Sequence, residues 1–137
     1  MTYRLTTQAD VPFLAELNHQ LIRDEGHRNP MTVPELADRM RKWLESDYTA
    51  VLFETNEIVA YALYRNSGDS ICLRQFFVHR NHRRKGIGKR AMKILFQEVW
   101  PKDKRITVEV LIHNSAINFW RSVGFADYSL ALEKLPD

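Results

Sequence analysis

Residues 78–90 read Val-His-Arg-Asn-His-Arg-Arg-Lys-Gly-Ile-Gly-Lys-Arg and join a predicted strand to a predicted helix. The strand, Ser70 to Val78, is rich in β-branched and aromatic residues. The helix begins near Gly86, and its apolar residues recur at the spacing of one buried stripe: Ile87, Ala91, Ile94, Leu95 and Val99. A helix start carries unpaired N–H groups and a partial positive charge, and glycines let an anion approach that backbone closely. The segment therefore predicts a phosphate or pyrophosphate site, with a solvated basic turn as the plainer alternative.

Two other phosphate-binding patterns fit this segment less well. A Walker loop needs four residues between its glycines and then Gly-Lys-Ser/Thr, and the segment has neither feature. The dinucleotide fingerprint G-x-G-x-x-A formally matches Gly86 to Ala91, with Glu109 about twenty residues further on. However, a long cationic segment separates Gly86 from the strand, Glu109 lies inside a predicted strand, and the chain has no repeated βαβ units.

A family resemblance explains the segment better. Arg83-x-x-Gly86-x-Gly88 resembles the (Gln/Arg)-x-x-Gly-x-(Gly/Ala) signature of the GNAT superfamily of N-acetyltransferases, which holds the pyrophosphate of acetyl-coenzyme A. Residues Asn114 to Phe125 are similar to the second landmark of that family, N-x-x-A-x-x-(F)-(Y)-x-x-x-G-F. The two motifs flank a predicted strand. The resemblance implies direct transfer of an acetyl group from acetyl-CoA to a primary amine, on a small molecule or a protein.

The chain reads as a single domain spanning residues 1–137, because 45% of its residues are apolar and no compositional break marks a linker. The resemblance implies that this domain is GNAT-like. Asp10 is predicted to cap the first helix, which buries Phe13, Leu14, Leu17 and Leu21, and Thr32 with Glu35 forms the capping box of the second. Asn114 is predicted to cap a short last helix that ends at Gly124. Strands are predicted at Thr2 to Thr6, Tyr48 to Thr55, Ile58 to Tyr64, Ser70 to Val78, Arg105 to Ile112 and Ala126 to Lys134.

The predicted fold is α/β, with the element order β-α-α-β-β-β-α-β-α-β. The resemblance implies a GNAT-like mixed, mostly antiparallel sheet with a central splayed strand pair and flanking helices. The family usually ends with two strands after its last helix, whereas about ten residues follow Phe125 here, so that either the terminal hairpin is very short or one strand is missing. A second subunit would cover the resulting edge, as in a homodimer.

The resemblance also assigns coenzyme-binding residues. Phe77 and Val78 would offer backbone groups to the pantetheine arm in the gap between the splayed strands. Residues 83–89 would hold the pyrophosphate mainly through main-chain N–H groups, and the second motif would line the same cleft. The expected set is Phe77, Val78, Arg83, Arg84, Lys85, Gly86, Ile87, Gly88, Lys89, Asn114, Phe119 and Trp120.

A donor for the departing thiolate is harder to assign. The family often supplies it from a tyrosine at the position that Trp120 occupies here, and an indole is not a useful acid at neutral pH. Tyr128 is the substitute that the sequence offers, and bulk water is another.

A base that accepts the amine proton is equally open. Gln75 stands where some family members place a carboxylate, but an amide does not titrate. Glu109 on the neighbouring strand is one candidate, and Glu25 or His27, on the loop between the first two helices, are others. That loop overhangs the acceptor side in the family, so Glu25, His27 and Gln75 are predicted to contact the substrate, and Glu109 and Tyr128 are the predicted catalytic residues.

Other classes of function are less well supported. The single cysteine, Cys72, excludes an intrachain disulfide and a cysteine-based metal cluster, and the histidines show no paired ligand spacing, so no metal is expected. No apolar run suggests export or membrane insertion, which favours a cytoplasmic protein. No aromatic residues interleave the cations of Arg80 to Arg90, so nucleic-acid binding is not expected. A catalytically weak acyl-CoA-binding or regulatory protein of the same fold stays open as the alternative, because of Trp120 and Gln75.

Overall fold

A computed structural model describes the whole chain, residues 1–137. The strands are β1 (Thr2–Leu5), β2 (Tyr48–Glu54), β3 (Ile58–Asn66), β4 (Ser70–Val78) and β5 (Arg105–Val108). The helices are α1 (Val11–Glu25), α2 (Val33–Glu45), α3 (Ile87–Ile94) and α4 (Ile117–Ser122). Short 3₁₀ turns lie at Gln8–Asp10 and Arg80–His82, and a π-helical turn, Leu95–Val99, extends α3.

The sheet follows the order of the chain, β1-β2-β3-β4-β5. The first four strands are antiparallel to their neighbours, and β5 pairs parallel to β4 through a crossover that contains α3. The parallel ladder runs only from Ser70 opposite Arg105 to Leu73 opposite Val108, so the last five residues of β4, Arg74 to Val78, have no partner on that side. This parting of β4 and β5 confirms the predicted mixed, mostly antiparallel sheet with a splayed central pair.

A β-bulge interrupts the pairing of β4 with β3. Leu63 lies opposite Gln75 and Tyr64 lies opposite Leu73, so Arg74 has no partner residue on β3. A bulge re-aims the side chains around it. As a result Leu73 joins the core on one face of the sheet, while Arg74 and Gln75 contact residues of the other face.

Two cores cover the two faces of the sheet. Because successive strand residues point to opposite faces, Ala50 and Leu52 pack with α1 and α2, whereas Val51 and Phe53 pack with α3 and α4. The first core also holds Leu14, Leu17, Leu21, Met40, Tyr61, Leu63 and Phe77, and the second holds Ile87, Ala91, Met92, Leu95, Trp100 and Trp120.

The capping box of α2 is confirmed. Thr32 Oγ1 accepts the backbone N–H of Glu35, and Glu35 Oε1 accepts that of Thr32. Asp10 occupies the N-cap position of α1, as predicted, but its side chain makes no hydrogen bond to this helix. Its carboxylate instead accepts hydrogen bonds from the guanidinium of Arg4 and from the backbone N–H of Thr7. This ion pair ties the edge strand β1 to the start of α1.

Two other details of the helices also differ from prediction. Phe13 does not lie on the buried face of α1, since 42% of it is exposed. Asn114 does not cap α4, because the capping position is Ala116. Asn114 Oδ1 accepts the backbone N–H of Ala116 at 2.9 Å, which closes a turn two residues before the helix.

The predicted strand over Arg105 to Ile112 is too long. The observed β5 ends at Val108, and Glu109 lies just beyond it, exposed to solvent. The apolar residues that continued the pattern, Leu111 and Ile112, are also exposed. Strand β5 ends where it separates from β4, because beyond that point no neighbouring strand pairs with its backbone N–H and C=O groups.

The predicted last strand, Ala126 to Lys134, is absent. Its alternation of apolar residues is real, but Leu130 and Leu132 are exposed, and no layer covers them. Alternation predicts a strand only where one face is buried. The segment is held by separate side-chain contacts, Asp127 with Arg121, Tyr128 with Arg105 and Glu133 with Arg28.

Candidate active site

The loop between β4 and α3 presents a run of free backbone donors. Arg84 and Gly86 both have left-handed backbone angles, with φ of 63° and 75°. No N–H group from Arg83 to Gly86 donates to a backbone carbonyl, and the first N–H groups of α3 have no partner within a helix. Successive free N–H groups beside the positive end of a helix dipole are suited to an anion.

The cations of this loop divide into two groups. Arg80 and Arg83 both pair with Asp24 at the end of α1, with N–O distances of 3.0 and 2.8 Å, and Arg83 Nε also donates to the carbonyl of Val78. These contacts fasten the loop to α1 and to the end of β4. The exposed side chains of Arg84, Lys85 and Lys89 form no ion pair and remain available to an anion.

Gly88 is the point where α4 meets the start of α3. A Cβ at Gly88 would lie 3.0 Å from Cε1 of Phe119 and 3.7 Å from Cγ2 of Val78, so a side chain there would displace the aromatic ring. The ring of Phe119 in turn stacks on Phe76 of β4, with centroids 6.1 Å apart. The structure thus brings Val78, Gly88 and Phe119 together, as members of the predicted coenzyme-binding set.

Trp120 belongs to the core and packs against the same aromatic pair, Phe76 and Phe119. Only 7% of it is exposed, and its ring lies edge-on to Phe76, Phe119 and Phe125 at centroid distances of 5.1 to 5.6 Å. Asn114 is half-buried in the turn before α4. The second motif therefore supplies an aromatic layer beneath the part of β4 that has no partner strand.

The two predicted catalytic residues lie at the surface. Glu109 follows the end of β5, and Tyr128 is 82% exposed beneath the guanidinium of Arg105. No hydrogen bond or ion pair joins Glu109 or Tyr128 to the loop of residues 83–89.

The predicted substrate-binding residues lie on the other side of β4. Glu25 Oε1 lies 2.9 Å from His27 Nε2 at the end of α1. The hydroxyl of Tyr61 donates to Gln75 Oε1 at 2.8 Å. Burial, and next the carboxylate of Glu25, raise the pKa of Tyr61 far above its usual value, while Arg39 opposes this shift. Tyr61 is therefore a neutral hydroxyl that fixes Gln75.

Four further side chains around the predicted substrate-binding residues were not predicted from the sequence: Asn18, Arg39, Tyr61 and Arg74. Asn18 is fully buried on α1, and Arg39 Nη2 donates to its Oδ1 at 3.2 Å. The sequence did carry a signal, because Asn18 and Arg39 each occupy one position of an otherwise apolar helical stripe.

The sequence matches a known protein family. Residues 15–125, most of the chain, match the model of the acetyltransferase (GNAT) family. The chain belongs to the GNAT family. This result confirms the resemblance carried by the two motifs, of which Arg83-x-x-Gly86-x-Gly88 forms the loop described above and Asn114 to Phe125 contains α4.

Solved structures share the fold along nearly the whole chain. A mutant Bacillus halodurans protein superposes with a TM-score of 0.81 at 20% identity, covering 99% of each chain. A Clostridium acetobutylicum protein described as a predicted acetyltransferase with acetyl-CoA gives 0.74 at 18% identity, covering 98% of this chain and 95% of its own. An aminoglycoside 6'-N-acetyltransferase from Acinetobacter haemolyticus gives 0.74 at 16% identity, covering all of both chains. Comparison with curated protein sequences gives no significant match.

No three His, Cys, Asp or Glu side chains are grouped so that they could hold a metal ion. None of the helices combines the length and apolar character needed to cross a membrane. The polar groups that do converge are the backbone donors of the β4–α3 loop and the side chains around Gln75.

Proposed function

We propose that this protein transfers an acetyl group from acetyl-CoA directly to a primary amine. The observation that carries the proposal is the run of unpartnered N–H groups from Arg83 to Gly86 at the start of α3. Such a run suits a pyrophosphate, because each phosphate oxygen accepts hydrogen bonds and the helix end favours negative charge. The free side chains of Arg84, Lys85 and Lys89 add positive charge around it.

The rest of the coenzyme has a matching surface. The edge of β4 from Arg74 to Val78 has no partner on the β5 side, so backbone groups of Phe77 and Val78 are available to an amide-bearing pantetheine arm. Ile87 is buried and anchors the start of α3, and its contribution to binding is through the backbone. Asn114, Phe119 and Trp120 would close the cleft from the α4 side.

In the reaction, the amine nitrogen forms a bond to the thioester carbonyl carbon, the carbon–sulfur bond breaks, and the amine proton is released. Glu109 and Tyr128 remain the proposed groups for accepting and donating protons, both through solvent, because both are exposed. A thiolate with the proton affinity of a cysteine, pKa about 8.5, leaves without a strong acid. Positioning of the amine against the thioester is then the main contribution of the protein. Glu25, His27 and Gln75 are proposed to contact the acceptor.

Two glycines of similar geometry allow a direct test of the coenzyme site. Gly86 and Gly68 have φ of 75° and 77°, and neither would bring a Cβ within 4 Å of another atom. Gly86→Ala and Gly68→Ala should therefore suffer a similar backbone strain, on the order of 1 to 2 kcal/mol. Only Gly86 lies in the proposed pyrophosphate loop. Calorimetry with CoA should show at least a roughly tenfold loss of affinity for Gly86→Ala and little change for Gly68→Ala.

Equal effects of the two substitutions would contradict the coenzyme site. Acetyl transfer itself is measured by the release of free thiol from acetyl-CoA in the presence of a panel of amines. Tight CoA binding without thiol release from any amine would instead support the alternative, a catalytically weak acyl-CoA-binding protein.

A further inference from the structure

The guanidinium of Arg39 is half-buried, and no carboxylate pairs with it. Its carbon Cζ lies 4.4 Å from the ring centroid of Trp43, and Nη2 donates to Asn18 Oδ1. Its Nε is buried and has no partner, and no Asp or Glu forms an ion pair with it. A buried charge is usually paired, because removal from water without a partner is strongly unfavourable.

Arg74 brings a second unpaired guanidinium to the same place. The bulge in β4 directs Arg74 toward α2, where its Cζ lies 4.8 Å from the ring centroid of Trp43 and its Nη1 donates to Tyr48 at 3.4 Å. Two like charges thus share one indole ring. Burial, and next the charge of Arg74, lower the pKa of Arg39 below its usual value. An anion bound at these guanidiniums would relieve both effects.

The neighbouring amides also present donors. Asn18 has its Oδ1 directed at Arg39, and because a guanidinium only donates, this orientation of the amide is required. Asn18 Nδ2 is then left buried and without a partner. Gln75 Oε1 accepts from Tyr61, so the amide nitrogen of Gln75 is the end that remains free. The unsatisfied groups around Arg39 are all donors, which fits an acceptor-only ligand group such as a carboxylate.

Charges of opposite sign act on Tyr61. The carboxylate of Glu25 and the guanidinium of Arg39 act in opposite directions on its hydroxyl, so both lie near the Tyr61–Gln75 pair. Phe77, two residues along β4 from Gln75, is the proposed contact of the pantetheine arm. A ligand that carries both an amine and a carboxylate would therefore meet a charge of opposite sign for each group, near the proposed path of the thioester.

We propose that Arg39, Arg74 and Asn18 bind a carboxylate, and that the acceptor is a small primary amine that also carries a carboxylate, as an amino acid does. This inference rests on the proposed acetyl transfer for the fate of the amine. In that step the amine nitrogen of the amino acid bonds to the acetyl carbonyl carbon, the electron pair of the carbon–sulfur bond stays on sulfur, and one amine proton passes to solvent. The product is an N-acetylated amino acid and CoA.

The test uses the full-length protein with acetyl-CoA as donor. It compares the amino acids that occur in proteins with their methyl esters as acceptors. The ester keeps the amine and removes the carboxylate charge. Its amine is less basic, so that more of it is free base at neutral pH, and intrinsic reactivity works against the expected result. We expect kcat/KM for the best amino acid to exceed that for its ester by at least about tenfold, as loss of a charged hydrogen-bond pair implies.

Substitutions then locate the subsite. Arg39→Met should lower kcat/KM for the amino acid by about tenfold or more and lower that for the ester much less. Arg74→Met, at an exposed position, gives the same comparison if Arg39→Met folds poorly. Arg41→Met is the matched control, because Arg41 lies two residues along α2 and pairs with Asp38 instead. It should change neither value.

The outcomes separate the two proposals. Equal kcat/KM for acid and ester, or an equal loss for both in Arg39→Met, overturns the carboxylate subsite and leaves acetyl transfer standing. Calorimetry of the amino acid with the CoA-saturated protein provides a readout without turnover, and binding of neither acid nor ester also overturns the subsite. If acetyl-CoA itself does not bind, the proposed function fails, and calorimetry of the amino acid against the free protein and Arg39→Met still decides the subsite.

Discussion

The proposed coenzyme side and the proposed acceptor side of β4 are built in different ways. On the coenzyme side, consecutive backbone N–H groups of residues 83–86 are the proposed contacts, and the side chain of Arg83 is used to fasten the loop. On the acceptor side, four side chains from four elements converge: Asn18 of α1, Arg39 of α2, Tyr61 of β3 and Gln75 of β4. A backbone site depends on the local shape of one loop, whereas a side-chain site depends on the packing of the whole layer.

The largest effect is expected from changing the shape of the coenzyme loop. Gly88→Val places a branched side chain about where Phe119 now lies, since even a Cβ would be 3.0 Å from its ring. Overpacking of this kind lowers the free energy of unfolding by about 1 to 3 kcal/mol. CoA affinity should fall as well, because α4 and the start of α3 separate. Chemical denaturation and calorimetry measure the two effects.

A double mutant shows whether Phe119 is the cause. Phe119→Leu removes the ring edge, so Gly88→Val should be much less destabilising in that background. If the losses in the free energy of unfolding are additive instead, the clash is not with Phe119. Packing of Phe119 on Gly88 would then matter no more to the coenzyme side than its backbone donors do.

A smaller effect is expected on the acceptor side from removal of one hydroxyl. Tyr61→Phe leaves the ring in the core and removes the hydrogen bond to Gln75, which should lower the free energy of unfolding by about 1 kcal/mol. Gln75 is then free to turn, so kcat/KM for the amine should fall while CoA affinity stays the same. Tyr64→Phe, on the same strand but packed against Trp100 on the other face, is the control. An equal loss of kcat/KM in both variants would show that Tyr61 has no particular role at the acceptor side.

This difference explains what the sequence could predict. The coenzyme loop is contiguous, so its glycines, cations and helix start appear together in residues 78–90. The acceptor side is not contiguous, and its residues lie up to 57 positions apart, from Asn18 to Gln75. Asn18 and Arg39 did stand out as polar residues in apolar stripes, but only the packing of α1 on α2 shows that they contact each other.

The errors in strand prediction have a related cause. Residues 126–134 alternate as a strand should, yet a strand is formed only when a neighbour offers hydrogen bonds and a layer covers its apolar face. The alternation of β4 is broken at Arg74 and Gln75, two adjacent polar residues. This break coincides with the bulge. The bulge brings a second guanidinium to Trp43, and only the three-dimensional structure shows this.

The smallest effect is expected at Asp24, which links the two sides. Its carboxylate holds Arg80 and Arg83 of the coenzyme loop from the end of α1, the helix that also carries Asn18. Asp24→Asn should lower the free energy of unfolding by no more than about 1 kcal/mol, because both arginines are largely exposed. For CoA affinity two effects oppose each other. A looser loop orders the N–H donors less well, whereas removal of a negative charge and release of two arginines attract the phosphates.

Salt separates these two effects at Asp24. In about 1 M salt the screening length is about 3 Å, so the added attraction is largely lost and the order of the loop decides. If backbone donors hold the pyrophosphate, Asp24→Asn should then bind CoA about twofold to fivefold more weakly than the parent, as loss of up to about 1 kcal/mol implies. Asp38→Asn, which breaks ion pairs to Arg41 and Lys42 on α2, is the control and should leave CoA affinity unchanged. Tighter binding by Asp24→Asn in high salt would mean that the released arginine side chains, and not the backbone, hold the pyrophosphate, and the contrast between the two sides of β4 would fail.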